Sequence, residues 1–383
     1  MFITSNPGFE TKVQELLSLA DIRVNGSRPW DIQVHDKRFY RRALTEGAMG
    51  LGESYMDGWW DCEHLDQLFY KVLSSHLEKK VKLAPTVILA HVISRIKNLQ
   101  TRAGSKRIAR QHYDLSPELY MSFLDPYNQY TCAYFKNTDS LDKAQEQKLE
   151  LICRKLNISS NDKVLDIGCG WGGFAKFAAE RFGCFVTGIS ISREQIQFAR
   201  EFCKGLPVTI LEMDYRDLMN SSYERQFDKV LICGMIEHVG YKNYHQLMKV
   251  VKHCLGDDGL FLLQTIGRNV SSTTTELNPW LAKYIFPNSM LPSLNQLTAA
   301  IEGLFVIEDV HNFRAHYDKT LMAWSNNFET NWPRIQSRYD ERFYRMWRYY
   351  LLACAGGFRA HDTHLWQIVF SKEGVAGGFE SIR

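Results

Sequence analysis

The stretch Val164–Ala175 reads VLDIGCGWGGFA. An apolar run takes in one acid, Asp166, and Gly168, Gly170, Gly172 and Gly173 follow within six residues. That order predicts a strand, then a tight turn whose bare backbone can approach a ligand, then a helix. The bland alternative, a mere tight turn, is disfavoured by the β-α pattern around the glycines.

The pattern continues downstream. KVLDIGC, CFVTGISI, VTILEMD, FDKVLICGM and LFLLQTI read as strands, and FAKFAAERFG, REQIQFAREFCKG and NYHQLMKVVKHCLGDDG as helices between them. LFVIEDVHNF and HLWQIVFSK read as late strands, with the helix YDERFYRMWRYYLLACAGGFRA between them. Repeated β-α-β order predicts a Rossmann-like α/β domain with helices on both sheet faces and its ligand at the carboxyl ends of the strands. Upstream, KVQELLSLA and LDQLFYKVLSSHLEK have helical periodicity around one Gly-rich turn, GAMGLGESYMDGWWD. The expected division is a small, mostly helical domain over 1–95, a basic linker over 96–115 and the α/β domain over 116–383.

With 383 residues, 45% hydrophobic and 23% charged, the chain fits an ordinary globular protein of about two domains. Nine scattered cysteines with no CxxC pair argue against a disulfide framework or a structural zinc site, and for a reducing compartment. Neither a signal peptide nor a membrane-spanning run is expected. The net charge of +3 is uneven: Lys79 to Tyr113 holds nine Lys or Arg and no Asp or Glu, so the remainder is mildly acidic. Within that segment, Val87, Ile88, Val92, Ile93 and Ile96 fall on one helical face. Two readings stand: an amphipathic helix on anionic lipid, or a core helix followed by a solvated basic linker.

The glycine turn alone does not choose a cofactor. A dinucleotide site places an acid for the ribose at the end of the second strand. Here that place reads GISIS, without an acid, which counts against a nicotinamide oxidoreductase. Asp166 before the glycines suits the DxGxGxG turn of S-adenosylmethionine-dependent methyltransferases. Asp214, ending the third strand, could accept from an adenine amino group.

Several motifs together resemble the cyclopropane-fatty-acyl-phospholipid synthases: HYDLSPELYMSFLDPYNQYTCAYF (His112–Phe135), VLDIGCGWGG, GMIEHVG (Gly234–Gly240), KYIFPN (Lys283–Asn288), LLACAGGFRA (Leu351–Ala360) and GLGESYMDGWWD. The resemblance covers nearly the whole chain. It implies a class I methyltransferase domain with a lipid-engaging N-terminal domain. The implied reaction carries a methylene from S-adenosylmethionine to the cis double bond of an unsaturated phospholipid acyl chain. It also implies a homodimer, cytoplasmic and peripheral to an anionic membrane surface, with no nucleic-acid partner.

Implied cofactor residues are Tyr130, Thr131, Asp166, Gly168, Gly170, Gly172, Ser190, Gln195, Asp214 and Tyr215. A bound bicarbonate is the implied base, cradled by Cys132, Glu237, Gln264, Ile266 and Tyr317, with backbone N–H groups of Cys132 and Ile266 donating. The chemistry is coherent, because a carbocation formed on an acyl chain needs a dry, aromatic site and a nearby base. Most of the aromatics still pack cores, and Glu237 also reads as a surface acid at a helix start. Cys354 in LLACAGG reads either as a reactive thiol or as a small buried residue. One position departs: the family's LLHTIG is LLQTIG here, with Gln264, an amide that can donate but cannot titrate. Other readings are a branching C-methyltransferase, a small-molecule N-methyltransferase and a non-enzymatic lipid-binding protein.

Overall fold

The computed structural model describes residues 7–77, 116–272 and 278–383. The basic segment Lys79–Tyr113 and its amphipathic stretch lie outside the described residues. The chain forms two compact units that interleave along the sequence. The first takes residues up to 97 with Thr274–Pro287 and Tyr317–Thr363; the second takes Asn98–Thr273, Asn288–His316 and His364–Arg383. The linear division at 95 and 116 therefore differs from the folded one. Helices from the last third complete the N-terminal unit, because its short helices need an apolar face to pack against.

The first unit opens with helices α1 (Pro7–Ser18), α2 (Arg38–Glu46), α3 (Ala48–Met56) and α4 (Leu65–Ser74). A two-stranded antiparallel sheet joins β1 (Gln33–Val34) to β2 (Trp60–Asp61). The Gly-rich turn expected over GAMGLGESYMDGWWD is instead helix α3. Its glycines serve close packing: a Cβ on Gly50 would stand 2.3 Å from the Arg42 carbonyl oxygen, and one on Gly52 2.3 Å from the Trp280 ring.

The second unit runs through α5 (Pro117–Met121), α6 (Leu141–Lys155), β3 (Lys163–Ile167), α7 (Gly173–Phe182), β4 (Phe185–Ser190), α8 (Arg193–Phe202), β5 (Val208–Glu212), β6 (Phe227–Cys233), α9 (Tyr244–Cys254) and β7 (Leu255–Gly267). It adds α11 (Leu294–Ile301), β8 (Val306–Asn312) and β9 (His364–Ser371). Helix α9 stops at Cys254, so the LGDDG read as its end begins β7. The first unit regains the chain for α10 (Pro279–Tyr284), the greater part of α12 (Ala315–Ile335) and α13 (Glu341–Arg359). The sequence reading had only the last of these.

The seven strands lie in the order β5-β4-β3-β6-β7-β9-β8, parallel except for β9. Side chains alternate across the sheet. Leu165, Val230, Ile232 and Leu263 join one core layer, and Val164, Leu231 and Leu262 the other, beneath Leu149 and Ile152 of α6. Strand order reverses between β4 and β6 around β3, which opens a crevice at the carboxyl ends of β3 and β6.

Candidate active site

Gly168, Gly170 and Gly172 have φ values of +87°, +53° and +83°, a region that other residues enter only with strain. A Cβ on Gly168 would sit 2.8 Å from Met235, whereas one on Gly170 would enter open space. The turn thus bares its backbone toward a cavity of about 200 Å³. Nine of the ten expected cofactor residues line it: Tyr130, Thr131, Asp166, Gly168, Gly170, Ser190, Gln195, Asp214 and Tyr215. Gly172 does not. It is the left-handed residue that starts α7, and a Cβ there would meet Ala199 at 2.9 Å.

Asp166 is buried beside the turn, and burial pushes its carboxyl up to about 7 while the Lys148 ammonium opposes that rise. Ser192 caps α8 by accepting from the Gln195 N–H, and its own N–H donates to Ser190 Oγ. Asp214 is less available than expected. Both its oxygens accept from Arg216 Nη1, at 3.1 and 2.9 Å, and Oδ1 also accepts the Arg216 N–H. Burial lowers the His238 imidazole, which also lines the cavity, to about 4, so it is neutral near pH 7.

Glu237 sits in a 3₁₀ turn (Ile236–His238) beyond β6. Its Oε1 accepts from the Ile266 N–H at 2.8 Å, while Oε2 is buried with no hydrogen-bond partner among the described residues. Desolvation raises this carboxyl above the usual range. The Ile266 N–H expected to face an anion is therefore engaged by Glu237 itself. Gln264 Oε1 accepts from Gln367 Nε2 at 2.9 Å, which leaves the nitrogen end of Gln264 as the donor. The Cys132 thiol is buried and donates to the Ala133 carbonyl oxygen.

Tyr317 and Cys354 belong to the first unit. Tyr317 stacks on Phe358, with ring centroids 4.4 Å apart, and burial drives the Cys354 thiol up to about 12, unlike a reactive thiolate. Sequence reasoning missed Lys148, Arg216 and Gln367. Each carried a faint signal. Lys148 interrupts the apolar face of α6, Arg216 stands two residues past an acid, and Gln367 sits inside an otherwise apolar strand.

A bare glycine turn over a buried acid, opening at the strand-order reversal, is the geometry of a nucleoside site. The mycolic acid cyclopropane synthetase family model matches residues 100–368. The chain is 50% identical over 371 residues to the cyclopropane-fatty-acyl-phospholipid synthase of Escherichia coli (strain K12), spanning 96% of this chain and 94% of that one. Among solved structures it is similar to mycolic acid cyclopropane synthase CmaA1 complexed with SAH and CTAB, at TM-score 0.63 and 27% identity over 70% of this chain and 98% of that one. It shares its fold with the cyclopropane synthase MmaA2 from Mycobacterium tuberculosis, at TM-score 0.65 and 24% identity over 72% of this chain and 100% of that one. The chain belongs to the mycolic acid cyclopropane synthetase family, built on the class I S-adenosylmethionine-dependent methyltransferase fold.

Proposed function

We propose that the protein is a cyclopropane-fatty-acyl-phospholipid synthase that uses bicarbonate as its base. The observation that carries this reading is Glu237. Its buried Oε2, without a partner among the described residues, asks for an O–H donor, one residue before His238 of the cofactor cavity. A bicarbonate hydroxyl fits that need, and no charged side chain is required to supply it.

In this reading, the alkene π pair attacks the sulfonium methyl, the S–CH₃ bond breaks, and S-adenosylhomocysteine leaves. The positive charge then rests on the acyl chain. Bicarbonate, when bound, supplies the base for the new methyl group, and the released C–H pair closes the ring. Glu237 Oε2 would accept the hydroxyl hydrogen and so orient the base, and the Gln264 amide N–H would donate to it. Tyr130 and Trp171 give the cavity aromatic walls. Tyr317 and Cys354 remain candidates on resemblance alone. Among the described residues no helix is long and apolar enough to cross a membrane. A homodimer at the cytoplasmic membrane surface, held partly by residues 79–113, belongs to the same proposal.

Vesicles of unsaturated phosphatidylglycerol incubated with S-adenosylmethionine test it by mass spectrometry and proton NMR. The expected product gains one methylene, loses its olefinic signals and requires bicarbonate. A methylated product that keeps olefinic signals would mean a branching methyltransferase. Turnover indifferent to degassing would remove the bicarbonate assignment.

A further inference from the structure

The side chain of Lys148 is fully buried, yet the chemistry above does not use it. Its helix, α6, packs on the sheet face of Val164 and Leu231, which by strand alternation is also the face of Asp166 and Cys233, both close to Lys148. Its Nζ donates to Gln129 Oε1 and, at 3.0 Å, to Thr131 Oγ1. One turn earlier, Gln145 Nε2 donates to the carbonyl oxygens of Gln129 (3.3 Å) and Thr131 (2.9 Å). From the other side, Asp125 accepts the N–H groups of Tyr127 and Gln129. The cavity wall at 129–131 is therefore already tied by neutral groups and by a carboxylate. A second tie made by a buried ammonium carries a desolvation cost that an amide would avoid. That cost has a use if the charge itself matters.

We propose that Lys148 is a positioning residue of the cofactor site: it fixes the Gln129–Thr131 wall and sets a positive charge against Asp166, so that this carboxylate meets the ligand's ammonium ionised. The proposal rests on the cavity being the S-adenosylmethionine site. The groups facing Lys148 are Asp166, Asp125, Cys132 and Cys233; Cys169 and Cys203 also face Asp166. Burial raises the Cys169, Cys203 and Cys233 thiols, which keeps them neutral near pH 7. Burial lowers the Lys148 ammonium itself, while the nearby carboxylates and thiols favour its charge, and that charge opposes the rise that burial gives Asp166.

The test is S-adenosylhomocysteine affinity by calorimetry from pH 5.5 to 8.5, for the native protein, Lys148→Met and Lys148→Arg. In the native protein, affinity is expected to fall as acid protonates Asp166. In Lys148→Met it falls roughly ten- to hundredfold further near pH 7, with its midpoint moved up by about one pH unit. Lys148→Arg keeps the charge and the native midpoint but misplaces the wall, so it binds more weakly at every pH. Parallel curves for native and Lys148→Met would reduce Lys148 to a structural tie and overturn the proposal. Should Lys148→Met not fold, Lys148→Gln takes its place, and a pH curve parallel to the native one in that variant would overturn it equally. No binding to the native protein at any pH would instead remove the cofactor assignment on which it rests.

Discussion

Gly168 and Gly170 stand two residues apart and fail for different reasons when changed. Gly168→Ala combines a strained φ with a collision against Met235, so a loss of about 1–3 kcal/mol is expected in urea unfolding. Gly170→Ala meets nothing in the fold, so its stability loss should stay near ~1 kcal/mol. Its methyl enters the cavity instead, and S-adenosylhomocysteine affinity should fall by much more than stability does. Asp166 gives the reverse trade. Its folded carboxyl titrates well above an ordinary one, so the folded state loses stability as pH rises from about 4 to 7. Asp166→Asn is free of that loss. It should melt higher than the native protein at pH 8, by at most a few kcal/mol, and no higher at pH 4, while binding cofactor poorly. Equal melting at pH 8 would contradict the burial argument. At position 264, restoring histidine is expected to raise cyclopropane turnover several-fold, whereas Glu237→Gln should cut it by about a hundredfold or more.

Residues read by local pattern were legible. The acid and glycines of the turn lie within eight positions of one another, and their geometry follows from sterics alone. The engagement of Ile266 by Glu237 was not legible, because a backbone N–H carries no mark in the sequence. Nor was the Arg216 clamp on Asp214, since nothing at i+2 spacing says which way a guanidinium will fold.

Among elements, the strands of the α/β unit were the easiest to read, because buried parallel strands are short apolar runs between turn residues. Helix α3 was misread for a physical reason. Glycine signals a turn when φ is positive, but it also permits close packing, and Gly50 and Gly52 are of the second kind. The true turns flank them at Gly47 and Gly58, with φ of +57° and +71°. Within the first unit, α4, α12 and α13 meet at Arg359. Its guanidinium donates to Asp66 at 2.6 Å and to both oxygens of Asp318 at 2.9 and 2.8 Å. Arg359→Met leaves two partly buried carboxylates without their cation. A loss of about 2–4 kcal/mol is expected in denaturant unfolding, and Arg359→Lys should recover only part of it. A loss below about 0.5 kcal/mol would show the cluster to be a solvated surface pair.

For the whole molecule, the interleaved units predict how it tolerates cutting. Removing residues 1–77 deletes α1–α4 but leaves α10, most of α12 and α13, whose buried Trp280, Tyr349 and Gly356 pack against the deleted helices. A fragment of residues 116–383 is therefore expected to bind hydrophobic dyes and aggregate. A monodisperse fragment with native S-adenosylhomocysteine affinity would show that the α/β unit stands alone.

The Arg359–Asp66 bond joins residues 293 positions apart. A ribosome adding roughly 5–20 residues per second needs about 15–60 s to cover that distance. The earliest helices to emerge thus wait through most of synthesis for the helix that covers them, while the parallel sheet forms in between. The first part of the chain to be made is the last to be finished, and during that interval its apolar faces depend on chaperones or on a nearby lipid surface to stay out of aggregates.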